Sequence, residues 1–87
     1  MNKYPLRPAD RDGNKISRGS PVLFVEATDT LLKGLPLETQ QAISEQVGKV
    51  LCVEGFDDYG HVELEFIDNN GINHSIWVEP TALKVKK

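Results

Sequence analysis

Apolar and polar residues alternate most clearly in the second half of the chain. Val62, Leu64 and Phe66 are separated by single residues, the acids Glu63 and Glu65. A repeat of two residues is typical of a β-strand with one face buried and the other in water. The pattern therefore predicts a strand that keeps its two carboxylates on the solvent side.

Four other short runs have strand character. Gly19-Ser20-Pro21 precedes the first of them, and clusters of turn residues, Asp57–Gly60 and Asp68–Gly71, flank the 61–67 strand. Turn clusters that end in glycine are typical of the connections between antiparallel neighbours. The five predicted strands cover residues 22–26, 48–53, 61–67, 72–78 and 83–85.

A helical pattern lies between the first two strands. Its apolar residues recur at spacings of three and four, and Pro36 and Glu38 favour a helix start. Gly48 ends the pattern. We predict one short helix over residues 36–46, closing one end of the sheet, and a short 3₁₀ segment over residues 79–83.

These elements predict a single mainly β domain, since 87 residues cannot support two cores. The expected fold is a five-stranded antiparallel barrel, closed or nearly closed, over residues 19–87. Residues 1–18 are rich in charge, proline and asparagine and have no periodicity. They are predicted to form a flexible basic N-terminal arm, with ordering on a partner as the alternative.

Charge is distributed unevenly along the chain. Residues 1–18 hold five basic and two acidic side chains, whereas residues 19–83 hold two basic and eleven acidic ones. The last four residues add three lysines. An acidic body repels phosphate backbones, so nucleic acid is not expected as the main partner, and a protein or basic peptide is favoured.

Cys52 is the only cysteine, so no internal disulfide can form. It lies in an apolar run and is interpreted as a small hydrophobic residue. There is no signal-peptide pattern and no apolar stretch of about 20 residues, the length a membrane helix requires. A cytoplasmic location and no membrane partner are expected.

The order of strands and glycine-marked turns along the chain resembles that of the SH3-like small barrels. The relevant stretches are Val22–Val25, Val47–Val50, Tyr59–Phe66 and Trp77-Val78 followed by Leu83. They look like the KOW and Tudor-like groups, and more closely like the barrel domain of the nitrile hydratase β subunit. The resemblance implies a fold and a tendency to bind proteins. It carries over no catalytic residue, because nitrile hydratase chemistry depends on a metal in a cysteine cluster of the partner subunit.

Aromatic and acidic residues near the second turn form the candidate binding site, namely Phe56, Asp57, Asp58, Tyr59 and Trp77. Similar barrels often bind through aromatic rings beside acidic loop residues, where a basic or methylated side chain docks. The alternative is that Phe56 and Trp77 fill the core. The sequence leaves open whether Trp77 points inward.

Two further hypotheses concern metal binding and catalysis. His61, Glu63 and His74 are candidate metal ligands, but they lack a recurrent ligand spacing. Glu63 and Glu65 with the acids of the second turn are candidate catalytic carboxylates, but acids in this pattern are typical of solvated strand faces. We expect no cofactor, no metal and no enzyme activity.

The sequence thus favours a non-enzymatic module that binds another protein. One alternative is an auxiliary subunit of a larger enzyme, with the helix at 36–46 packed on the larger chain. Another is a nucleic-acid-binding barrel that uses the basic arm and the tail at 84–87. The oligomeric state stays open.

Overall fold

A computed structural model describes residues 5–86 of the chain, so the first four residues of the predicted arm and the final lysine lie outside the described residues. It confirms a mainly β fold with five antiparallel strands. The elements in chain order are β1 (Pro21–Phe24), α1 (Asp29–Leu32), α2 (Leu37–Ser44), β2 (Val50–Phe56), β3 (Val62–Ile67), β4 (Asn73–Val78), a 3₁₀ helix (Pro80–Ala82) and β5 (Leu83–Val85).

The strands form one sheet in the order β4-β3-β2-β1-β5. The predicted barrel was closed or nearly closed, whereas the sheet is open, with β4 and β5 as its two edges. Closure requires the edge strands to pair with each other. β5 is only three residues long and pairs with β1 alone.

The strongest sequence pattern is confirmed by burial. Val62 and Leu64 of β3 are fully buried, and Phe66 is nearly so. On the neighbouring strand, β2 runs further than predicted and ends at Phe56, because a register shift between Val53 and Gly55 lets pairing continue past the glycine. Such a bulge inserts one unpaired residue and bends the strand.

The core lies between the concave side of the sheet and α2. Ala42 and Ile43 are the buried residues of α2, and Gly48, in the left-handed region at φ +91°, follows the helix. The main apolar residues of this core are Ile16, Val22, Phe24, Ile43, Val53, Val62, Leu64, Phe66, Ile76, Val78 and Leu83.

The long connection after β1 contains a second helix that the pattern did not predict. α1 is a single turn whose first N–H groups are capped by Thr28, since the Oγ1 atom of Thr28 accepts from the backbone N–H of Leu31 at 3.2 Å. Such a cap satisfies a donor that has no partner within the helix. α1 places Leu31 partly against the core.

Three tight turns share one local design. In each, the first residue is an aspartate whose Oδ1 accepts from the backbone N–H groups two and four residues later, at 2.8 to 3.0 Å. The glycine three residues after the aspartate has a φ between +81° and +88°, which only glycine adopts readily. The turns are Asp10–Asn14, Asp57–His61 and Asp68–Ile72.

The first of these turns lies in the segment predicted to be a flexible arm. Residues 5–18 instead pack against the sheet in the structure: Ile16 is 1% exposed and belongs to the core. The carboxylate of Asp10 accepts from the backbone N–H of Val85 at 2.7 Å, and the N–H of Arg11 donates to the carbonyl of Leu83. The described part of the segment therefore covers the outer edge of β5.

Cys52, which the sequence analysis interpreted as a small hydrophobic residue of an apolar run, is exposed. It pairs with Pro21, while the neighbouring Leu51 and Val53 point to the core side. Side chains alternate between the two faces along a strand, so Cys52 points away from the core when Leu51 and Val53 point toward it. Separately, none of the helices in residues 5–86 combines the length and apolar character needed to cross a membrane.

Candidate functional site

The predicted binding residues occupy two strands and one turn. Phe56 ends β2, Asp57, Asp58 and Tyr59 form the turn that follows, and Trp77 lies near the end of β4. All three rings reach solvent, with exposed fractions of 40% for Phe56, 59% for Tyr59 and 46% for Trp77. None of them is a fully buried core residue.

A groove of about 420 Å³ beside Trp77 brings part of this set together. Its lining includes Trp77, the apolar Leu31 of α1 and two acidic residues, Asp57 and Glu79. We call it the Trp77 groove. Its lining residues are Thr28, Thr30, Leu31, Asp57, His61, Trp77, Val78 and Glu79.

The strand register places Phe56 on the opposite face of the sheet from Trp77 and its groove. Phe56 pairs with Val62, whereas Trp77 pairs with Glu63. Val62 and Glu63 are successive residues of β3, so their side chains and those of their partners point to opposite faces. Phe56 therefore lies on the core side near the end of the sheet, and Trp77 lies on the outer face. The two aromatic residues do not form one cluster.

Asp57, one of the lining residues of the groove, is held by several hydrogen bonds. Its Oδ1 accepts from the backbone N–H groups of Tyr59 and His61, and its Oδ2 lies 3.0 Å from Nδ1 of His61. The His61 ring in turn meets the ring of Tyr59 edge to face, with centroids 6.4 Å apart. These contacts fix the orientation of the Asp57 carboxylate.

The same contacts keep Asp57 ionised. Partial burial acts to raise the pKa of Asp57, but the backbone N–H groups of His61 and Tyr59 and the His61 side chain outweigh it. The pKa of this carboxyl is therefore lowered below its ordinary value. The groove carries a stable negative charge at neutral pH.

The turn beside the groove is also contacted by the chain's own N-terminal segment. The backbone N–H of Leu6 donates to the carbonyl of Tyr59 at 2.8 Å. A Cβ atom at Gly60 would come within 2.7 Å of the Leu6 backbone, so the close approach requires glycine there. Part of the turn surface predicted to bind a partner is thus occupied by Leu6.

Two further carboxylates lie on the outer face next to β4. Glu63 is the cross-strand partner of Trp77. Glu65 accepts hydrogen bonds through Oε1 from Asn73 Nδ2 at 3.3 Å and from Ser75 Oγ at 3.4 Å. The indole is therefore bordered by acidic side chains both in the groove and across the strand pair.

The residues considered for metal binding do not converge. His61 contacts Asp57, whereas His74 places its Nε2 2.8 Å from Oδ2 of Asp68 in a different turn and stacks its ring on Phe66. Within residues 5–86, no group of three or more His, Cys, Asp or Glu side chains is arranged to hold a metal ion.

Sequence reasoning missed five residues that line the groove, namely Thr28, Thr30, Leu31, Val78 and Glu79. The threonine before an acidic residue and two leucines was a usable signal for a helix start. No local pattern marks Glu79 as a groove residue, because its position depends on where β4 ends relative to α1. Long-range placement of this kind is not encoded in spacing.

Comparison of the chain with protein-family models, with curated proteins and with solved structures finds no match.

Proposed function

We propose that the chain is a small non-enzymatic SH3-like module that binds a basic segment of another protein in the Trp77 groove. The observation that carries the proposal is that a half-exposed tryptophan and two acidic residues, Asp57 and Glu79, line the same groove. An aromatic face with adjacent anions suits a Lys or Arg side chain, through cation–π attraction and charge pairing.

The fold assignment is supported by the arrangement of elements. The chain has five antiparallel strands, a long partly helical connection after the first and a 3₁₀ turn before the last. This arrangement is compatible with the resemblance to SH3-like barrels that the sequence motifs indicate. A compact sheet of this size offers grooves and faces rather than a deep substrate cavity, which suits a binding role.

Charge supports a basic partner over an acidic one. Between residues 19 and 83 the chain holds eleven acids and two lysines. Such a surface attracts cationic segments and repels phosphate backbones. Glu79 and Asp57 bring this general charge to the groove itself.

Affinity capture from native lysate tests the proposal, with and without nuclease. Trp77→Thr keeps a strand-forming residue and removes the indole, so we expect it to lose a nuclease-resistant partner. Glu54→Gln, which changes an exposed acid outside the groove, is the matched control and should retain that partner. Asp58→Lys/Tyr59→Ala reports separately on the turn.

Three outcomes of this capture would contradict the proposal. Equal capture by wild type and Trp77→Thr would place binding elsewhere on the molecule. A partner lost on nuclease treatment would favour the nucleic-acid alternative and its basic termini. One enzyme chain recovered in fixed stoichiometry, unaffected by Trp77→Thr, would favour the auxiliary-subunit alternative.

A further inference from the structure

The two edges of the sheet differ in how well they are protected from pairing with a further strand. At the β5 edge, Asp10 accepts from the N–H of Val85 and the N–H of Arg11 donates to Leu83, so a neighbouring segment covers the strand. β5 also has only three residues and includes Lys84. Short length, a lysine and a covering segment are devices that prevent an edge from pairing with another chain.

The β4 edge has none of these devices. β4 spans six residues, Asn73–Val78, all paired on one side with β3. It contains no Lys, Arg, Asp, Glu, Pro or Gly, and its register shows no bulge. No hydrogen bond joins its backbone to any part of residues 5–86 beyond β3 and its own turns. An edge of this length without protection is a template for a further strand.

The register identifies which backbone groups face outward. In the β3–β4 hairpin the N–H of Asp68 donates to the carbonyl of Ile72, and hydrogen-bonded pairs then recur at every second position. His74, Ile76 and Val78 therefore turn their backbone groups toward β3. Those of Asn73, Ser75 and Trp77 point away from the sheet, and the side chains of the same three residues lie on the outer, exposed face.

We propose that the partner segment binds as an additional antiparallel strand on the β4 edge, with Lys or Arg at alternate positions facing the outer side. This inference rests on the proposed function and specifies its binding mode. A strand added at about 4.8 Å would set its outward side chains beside Trp77 and Ser75. Glu65, which reaches over Ser75 and Asn73, then faces the basic side chains.

Charge selects this occupant over a second copy of the chain. Two copies paired through β4 would bring the Glu65 carboxylates of both molecules, which lean over Asn73 and Ser75 of β4, onto one face of the joined sheet. These negative charges would have no cationic partner there, which disfavours self-pairing. A basic segment instead neutralises these acids, and its main-chain hydrogen bonds satisfy the outward groups of β4.

The test uses a blocked heptapeptide in which threonine and lysine alternate, with binding measured by calorimetry and by the emission of Trp77, the only tryptophan. In an antiparallel pair the amides facing β4 belong to residues whose side chains share the outer face, here the lysines. N-methylation of the lysine amides should weaken binding at least about tenfold. N-methylation of the threonine amides, which point away, is the matched control and should change it less than about threefold.

Protein variants provide a second arm. Ser75→Pro removes one outward N–H, a position where an edge strand tolerates proline, and should weaken binding at least about tenfold. Ser75→Ala keeps that N–H and removes only the hydroxyl, so binding should stay within about threefold. If Ser75→Pro fails to fold, the methylated peptides still decide the question on the wild-type chain.

The outcomes separate the two proposals. If the unmodified peptide does not bind the wild-type chain, the proposed function fails together with this inference. If it binds and Glu79→Gln weakens it, but both methylated analogues bind equally, the groove stands and strand addition is overturned. Concentration-dependent dimers that Ser75→Pro abolishes, without peptide binding, would assign the edge to a second copy.

Discussion

In each of the three turns one aspartate accepts the hydrogen bonds that hold the turn. Asp10 also accepts one from a residue distant in the sequence. Its carboxylate accepts from backbone N–H groups of Asp12 and Asn14 within the turn and from Val85, which is 75 positions away in sequence. Asp10 is only 4% exposed. A buried carboxylate with several N–H donors is stabilised in its charged form, and each donor is satisfied in return.

Asp10→Asn should therefore be among the more destabilising polar substitutions in the chain. The amide keeps one acceptor oxygen but loses the charge and turns donors toward N–H groups, so we expect a loss of about 2 kcal/mol in the free energy of unfolding. Urea unfolding measures it. Asp12→Asn, at an exposed neighbour, is the control and should cost less than about 0.5 kcal/mol. Equal stability of the two variants would contradict the role of Asp10.

Stability should also fall in acid. Hydrogen bonds from backbone N–H groups, and from His74 in the case of Asp68, outweigh burial and lower the pKa of Asp10, Asp57 and Asp68. The folded state therefore binds fewer protons than the unfolded chain, in which aspartate titrates near pH 3.9. Their contribution is fully present above that pH and is lost as the pH falls through the lowered values.

Thermal unfolding between pH 6 and pH 2.5 checks this expectation. The transition temperature should drop below about pH 4, and the drop should be smaller in Asp10→Asn, which has already lost one of the three carboxylates. A transition temperature that stays constant down to pH 2.5 would show that these turns do not govern acid stability.

At the scale of elements, the N-terminal segment behaves as part of the sheet's framework. Its turn at Asp10–Asn14 positions Ile16 in the core, and the backbone N–H of Ile16 donates to the carbonyl of Pro8 at 2.8 Å. The arm prediction followed from the density of charge, proline and asparagine and from the absence of a periodic apolar pattern. The apolar residues of the segment are scattered, so the contribution of Ile16 to the core was not visible in the sequence.

Ile16→Ala tests whether this segment holds its place in solution. Removing a fully buried isoleucine should cost about 2 to 4 kcal/mol of unfolding free energy. Leu37→Ala, at a side chain that is 69% exposed on α2, is the control and should be nearly neutral. If Ile16→Ala is equally neutral, residues 5–18 are a flexible arm, as the sequence predicted.

Local patterns predicted most of the elements because each has a repeat or a marker of its own. The alternation around Val62 and Leu64 gave β3, and the last strand at 83–85 was predicted with its observed bounds. The turn at Asp10 has the same Asp-x-x-Gly spacing as the two predicted turns, so a usable signal was present. Whether the barrel closes depends on whether β4 and β5 pair with each other, and no local pattern determines this.

At the scale of the whole molecule, the sheet has one covered edge and one open edge, and the open edge borders the Trp77 groove. Sequence reasoning identified Asp57 and Trp77, which the structure places in this groove, and Phe56, which it places on the other face. The difference follows from register. A shift of one residue changes the face of a side chain, and the bulge before Phe56 changes the register in a way that spacing does not reveal.

Mapping where a basic segment binds tests the proposed function most directly. Amide chemical shifts of the ¹⁵N-labelled chain should be recorded during titration with the alternating Thr-Lys peptide. We predict changes concentrated at residues 57–61 and 73–79, with binding that weakens as salt screens the carboxylates. Changes confined to residues 5–18 and 84–86, or no changes at all, would contradict the assignment of the Trp77 groove as the binding site.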